Sequence, residues 1–360
     1  WRQLTPRSSR FVIPYLLFAA VFVFLYLIKP LEPAAALEGL RVYLEYVLWF
    51  FVGAYLLEGK LQFRWLCDVF IFIAFILAVH GIYQYIVGVQ IPSRWIDSAY
   101  EITVRTRVFS IIGSPNILGS LMVLALSMTL SSFLAYPRWE KKLIYLAMGL
   151  AMLACLVFTM SRGAWLAFGL SLILAGLWLD RRIIWGLIII AILTPVLVPS
   201  VYHRLAYMAT PEYKASSERG GRLGRWDKTL QIWQTQPATG VGLGKWGGAV
   251  AKRFYPDYTF YTDNFWLKTG AETGWIGLLT LLLLILTGLR LARSSLDQVD
   301  DPVVKALGLG ILAGLTGILA HNAVENVFEV PMMSTYFWFF LGMLSVLGTL
   351  KPGAARPEHE

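Results

Sequence analysis

Residues 261–293 read YTDNFWLKTGAETGWIGLLTLLLLILTGLRLAR. From Trp275 to Leu289 no residue is charged. A bilayer core takes roughly 20 helical residues to cross, so this run is a membrane span. Asp263 and Asn264 stand just ahead of it, where a span would emerge into water. Runs of the same kind recur along all 360 residues, of which 57% are hydrophobic and 15% charged, with a mean hydropathy of +0.62. That composition leaves no room for a large soluble domain. It specifies an all-α fold, a polytopic transmembrane helical bundle of about ten spans forming a single integral membrane domain over 1–360. The expected spans are 11–28, 40–57, 66–88, 117–136, 143–160, 164–179, 183–199, 275–293, 306–324 and 332–350.

The net charge of +9 reports topology and lipid headgroups in such a chain, and not nucleic acid. With the N-terminus inside, one set of segments carries Arg2, Arg7, Arg10, Lys60, Arg64, Arg138, Lys141, Lys142, Arg181, Arg182, Arg290, Arg293, Lys351 and Arg356. The opposite short loops are poorer in Lys and Arg, except 89–116 with Arg94, Arg105 and Arg107. Both termini are therefore expected in the cytoplasm. Residues 200–274 become an extracytoplasmic loop and re-entry segment. Its part up to residue 263 holds nine Lys/Arg against five Asp/Glu, a net of +4. Within it Trp226, Leu230 and Trp233 fall on one face of a short amphipathic helix, suited either to headgroups or to the top of the bundle.

GVGLGKWGG at 240–248 is a glycine-rich turn and no phosphate loop, because Trp246 stands where a Ser or Thr would follow the lysine. Cys67 and Cys155 lie inside apolar runs and read as core residues. No HExxH or outer Asp-x-Asp pair is present, so neither a metal site nor a cofactor is expected. Cationic side chains are the outer side's chemistry instead. Arg105 and Arg107 precede GSPNILG, Arg162 sits in MSRGAW, and Arg222 and Arg225 sit in GGRLGRW. Arginine matches phosphate oxygens bidentately, although an interfacial arginine also serves headgroups. His321 and Glu325 in HNAVENVFEVP share a helix face, as a functional pair or as a packing contact. Asp263 reads either as a helix N-cap or as a general base beside those arginines.

The stretches DNFWLKTGAETG, SPNILG, SRGAWL, GRLGRW with QPATGVGLG, and HNAVENVFEVP occur in an order that resembles the O-antigen ligase and polymerase superfamily, over roughly 105–331. The resemblance implies a metal-independent, inverting glycosyltransferase of the GT-C type in the bacterial cytoplasmic membrane. Its donor would be an undecaprenyl-pyrophosphate-linked glycan and its acceptor a lipid or glycan hydroxyl on the outer face. On the matching positions, Arg162 and Arg222 would hold the pyrophosphate. Asp263 stands where the family commonly has its catalytic histidine. Asn116, Arg107, Arg225, Asn264, Glu272, His321 and Glu325 are expected to bind substrate. A lipid-linked-glycan flippase or a non-enzymatic assembly component would instead favour charges deep within many spans. Here the polar residues gather toward one face.

Overall fold

The computed structural model describes residues 6–29, 32–92 and 106–350. Among these every regular element is helical, with no strand. Arg2, Arg94, Arg105, Lys351 and Arg356 lie outside the described residues. The helices are α1 (Pro6–Ile28), α2 (Pro33–Leu44), α3 (Leu48–Leu56), α4 (Lys60–Val87), α5 (Pro115–Ala135), α6 (Trp139–Phe158), α7 (Arg162–Trp178) and α8 (Arg182–Leu197). They continue as α9 (Pro199–Tyr207), α10 (Pro211–Arg219), α11 (Arg222–Thr235), α12 (Ala249–Phe254), α13 (Phe265–Leu296), α14 (Pro302–His321) and α15 (Pro331–Val346).

The chain is a multi-pass membrane protein. Seven helices among the described residues are long and apolar enough to cross a bilayer, and the pair α8 and α9, bent by 98°, passes the same test only when taken together as one broken span or re-entrant loop. The remaining two expected spans also fall on helices. Residues 40–57 are divided between α2 and α3, and α7 is a shorter apolar helix. Backbone that is exposed to lipid must satisfy its own polar groups, which is why the apolar sequence resolves into helices alone.

At the centre lie α5 and α14, with 83% and 72% of their apolar windows buried. Ser127 and Ser131 of α5 donate their hydroxyls to the carbonyls of Val123 and Ser127, at 2.8 and 2.9 Å. The turned-in hydroxyls let the glycine-rich face of α14 approach, as small residues do where lipid supplies no hydrophobic drive. By contrast no residue of α8 is buried; it packs along α7 and leads into α9.

One end of the bundle is tied by Arg64 to Asp301 at 2.6 Å, by Tyr145 to Asp68 at 2.8 Å, and by Gly348 N to Ser295 Oγ at 2.8 Å. The other end gathers the N-termini of α5, α7, α11 and α13 around the turn after α14. There Phe265 N donates to Asn322 O at 2.8 Å, and Val108 N to Phe158 O at 3.1 Å.

α13 is broken within its length. Gly274 takes φ 64°, ψ −168°, a conformation that an L side chain rarely adopts. Residues 237–242 occupy the notch. Trp275 N donates to Pro237 O at 2.9 Å and Ile276 N to Ala238 O at 3.2 Å, while Val241 N and Gly242 N donate to Ala271 O and Glu272 O at 2.8 and 3.0 Å. The loop thus supplies the hydrogen bonds that the broken helix gives up.

Candidate active site

Asp263 is the centre of the polar cluster at this end. Its Oδ2 lies 2.9 Å from Arg225 Nη1 and 3.8 Å from Arg222 Nε, with the three side chains about a fifth to a quarter exposed. Arg222 and Arg225 occupy the first turn of α11, so the i, i+3 spacing puts both guanidinium groups on one side. Arg225 also donates to Tyr261 O at 3.1 Å. Asp263 has φ +50°, left-handed backbone that costs a non-glycine residue on the order of 1 kcal/mol.

The N-cap of α13 is Asn264, not Asp263. Asn264 Oδ1 accepts from Trp266 N and Leu267 N, both at 3.1 Å. With Phe265 N held by Asn322 O, the first turn has its donors satisfied without the aspartate.

Glu325 lies in the turn after α14 and accepts a hydrogen bond from Asn116 Nδ2 in the first turn of α5. Asn116 Oδ1 accepts in turn from Arg107 Nη2 at 3.0 Å, and Arg107 Nε donates to Thr159 O at 3.1 Å. This row links the segment before α5, the α6–α7 turn and the α14–α15 turn. Burial, and then the charge of Asp263, push the Glu325 carboxyl above its ordinary range; Arg222, the Asn326 main-chain N–H and Asn116 oppose them. His321 is buried at the end of α14, with Nδ1 2.6 Å from Ser120 Oγ. A side chain at Gly163 would come within 2.8 Å of His321 Nε2, so α7 and α14 meet here at glycine distance. Arg162, one residue earlier, opens α7 and lies with its guanidinium carbon 5.1 Å from the Tyr213 ring centre of α10.

Glu272 belongs to a separate, fully buried group. Its Oε2 is 2.9 Å from Lys268 Nζ and accepts from Tyr43 OH at 3.0 Å; its Oε1 accepts from Trp246 N at 3.3 Å. Lys268 Nζ also lies 2.9 Å from Glu329 Oε1. Glu329 Oε2 accepts from Ala249 N at 3.0 Å and from Asn326 Nδ2 at 3.2 Å. This group anchors the glycine-rich 240–249 segment behind the site. The structure therefore joins Asp263, Arg222 and Arg225 directly. Asn116, Arg107, Glu325 and His321 line the same end, Asn264 stands in the frame, and Glu272 stands behind it.

Lys268, Asn326 and Glu329 were not singled out in the sequence. The signal was there in part: a lysine at i−4 from Glu272 inside an apolar run, and a second amide and acid in NVFE after Glu325. Among the described residues no group of three His, Cys, Asp or Glu side chains is arranged to hold a metal ion.

No curated protein sequence matches the chain. The fold matches a chain of a solved structure described as "Structural coordination of polymerization and crosslinking by a peptidoglycan synthase complex", with TM-score 0.51 and 16% identity, covering 94% of this chain and 96% of that one. At that identity the likeness concerns the fold. The family model described as Wzy_C, O-antigen ligase, matches residues 147–282. SRGAWL, GRLGRW with QPATGVGLG, and DNFWLKTGAETG fall inside that range, whereas SPNILG and HNAVENVFEVP fall outside it. Across 147–282, which holds Arg162, Arg222, Arg225, Asp263 and Glu272, the chain is similar to the O-antigen ligase family, the family that its motifs resemble.

Proposed function

We propose that this membrane protein transfers a glycan from a polyprenyl-diphosphate-linked donor, of the undecaprenyl type, to an acceptor hydroxyl. The reaction takes place at the outer face of the bacterial cytoplasmic membrane, with both termini inside. The observation that carries this reading is the clasp of Asp263 between Arg222 and Arg225 in the stretch that is similar to O-antigen ligases.

A guanidinium pair that holds a carboxylate is also the arrangement that holds a phosphate. When the donor arrives, its diphosphate takes up the guanidinium donors of Arg222 and Arg225, with Arg162 contributing from the start of α7. Asp263 is thereby released toward the acceptor. The acceptor oxygen attacks the anomeric carbon, Asp263 takes its proton, and the bond to the diphosphate oxygen breaks with inversion. The arginines hold the charge that gathers on the leaving group, where fixed cations contribute most. No divalent ion enters this scheme. Whether the acceptor is lipid, glycan or protein distinguishes a ligase from a polymerase within one mechanism.

The test is incubation of the purified protein with a defined diphosphate-linked glycan and candidate acceptors in EDTA, with products weighed by mass spectrometry. A product whose mass is that of glycan plus acceptor less one water, with the lipid diphosphate released and no metal added, is expected. Asp263→Asn should abolish it while leaving the melting temperature and donor binding in place, because the cap belongs to Asn264. Donor movement across vesicles with no coupled product would replace this reading with transport.

A further inference from the structure

The peptide unit between Asp263 and Asn264 is gripped at both ends. Its N–H, on Asn264, donates to Asn326 Oδ1 at 3.1 Å. Its carbonyl, on Asp263, accepts from Trp226 Nε1 at 3.3 Å. The orientation of this unit fixes one of the two backbone angles of Asp263, and Asp263 is one of three non-glycine residues with positive φ among those described. A left-handed residue persists only where its surroundings over-determine it. Asn326 is placed to do so. Its Nδ2 donates to Gly247 O at 2.8 Å and to Glu329 Oε2 at 3.2 Å, and its main-chain N–H donates to Glu325 Oε1 at 3.1 Å. Gly247 O accepts as well from Thr262 N at 2.9 Å, on the other side of Asp263. One buried amide therefore reaches the segments on both sides of the aspartate, and the Lys268–Glu329 pair sets that amide in place.

We propose that Asn326 is the positioning residue of Asp263: its side chain holds the aspartate in its left-handed pose and so aims the carboxylate. The catalytic consequence rests on the reading of Asp263 as proton acceptor; the geometric claim does not. Asn326 itself touches no reacting group. It acts through the 263–264 peptide and, by way of its main-chain N–H, on the neighbouring Glu325.

The experiment compares the full-length protein with Asn326→Ala in detergent by hydrogen–deuterium exchange and by transfer kinetics. Exchange at the Asn264 amide should rise at least tenfold. kcat should fall by about a hundredfold, the scale of a misplacement of about 1 Å, with the donor KM within about twofold. A residue with a merely structural role would lower Tm and raise KM instead. Unchanged exchange at Asn264 overturns the proposal, whatever the activity does. Raised exchange with unchanged kcat overturns it too, provided Asp263→Asn is inactive. Full activity in Asp263→Asn sinks the proton-acceptor reading instead, and exchange alone then decides the positioning claim. If Asn326→Ala does not yield folded protein, Asn326→Ser, whose shorter side chain ends short of the Asn264 N–H, is judged by the same outcomes.

Discussion

Asn264 caps α13, and that assignment leaves the Asp263 side chain with no capping duty at the helix mouth. The sequence left two roles open for Asp263 because Asp and Asn cap equally well and stand side by side. What separates them is backbone: Asn264 is extended at φ −164°, ψ 102°, whereas Asp263 is left-handed. That difference comes from contacts with Asn326 and Trp226, which are distant in sequence. The arginines were legible, since GRLGRW fixes their spacing, and Asp263 was placed among them; the direct ion pairs were not, because residues 225 and 263 meet only in the fold. Arg222→Ala should leave the fold intact and slow transfer. Losing one hydrogen bond to a charged group removes about 1.5–3 kcal/mol, roughly one to two powers of ten in rate. Arg222→Lys should recover part of that, because lysine cannot pair bidentately. Equal rates in wild type and Arg222→Ala would remove Arg222 from the site. Glu325 gives a pH signature. Burial and the Asp263 charge raise its folded value above that of an unfolded glutamate, about 4.3. The folded state therefore keeps a proton that the unfolded state releases, so the contribution is full below about pH 4.3 and is lost as pH rises through the folded value. Wild-type Tm should accordingly fall, relative to Glu325→Gln, as pH rises through that window. Parallel Tm curves for the two proteins would contradict the raised value.

At the scale of elements, α13 shows what a hydropathy pattern reads and what it passes over. The expected span began at 275, one residue after the break at Gly274, because polarity changes there. The helix nevertheless resumes on the polar side, and what bridges the break is backbone from 237–242, which has no side-chain signature. The 40–57 span differs: it is divided between α2 and α3 at residues 45–47, where Glu45 is the C-cap of α2, so a charged side chain does mark that break. Gly274→Ala makes the docking testable. A Cβ there would sit 2.2 Å from Ala238 O, and alanine disfavours the backbone besides. The strain is about 1–3 kcal/mol, enough to undock the loop in preference to reshaping the helix. Limited proteolysis should then cut within 237–248 in Gly274→Ala and spare the wild type. Since Gly242 N and Trp246 N both reach Glu272, transfer should fall along with protection. Full protection with full activity would mean that the notch tolerates a side chain.

The whole molecule separates an end built from helix N-termini and cations from an end held by Arg64–Asp301 and Tyr145–Asp68. Hydropathy made the polytopic helical bundle legible, with ten spans expected against seven long apolar helices, the bent α8–α9 pair and two shorter helical spans, and the gathering of polar residues at one end was legible too. The buried Lys268–Glu272–Glu329 group was not, because an ion cluster within an apolar bundle requires partners from α2, α13 and the turn before α15 together. Orientation is open to direct test. Cys67 and Cys155 are buried, so a membrane-impermeant thiol label meets little background. In intact cells Lys214→Cys should react and Glu140→Cys should not; the reverse pattern would turn the site toward the cytoplasm. A different consequence follows from α8, which presents no buried residue. Its inner face packs on α7, with Ile184 against Gly176, but its outward positions Trp185, Ile188, Ile189, Ile192 and Leu193 store almost no sequence information, since any apolar letter serves where acyl chains are the neighbours. Over evolutionary time these outward positions should therefore drift freely within the hydrophobic alphabet, even as a few kinships far apart in the chain, such as Asp263 with Asn326, stay fixed. Saturation libraries at these outward positions, scored by growth or folding yield, would then show near-uniform acceptance of Leu, Ile, Val and Phe, a record of the solvent more than of the protein.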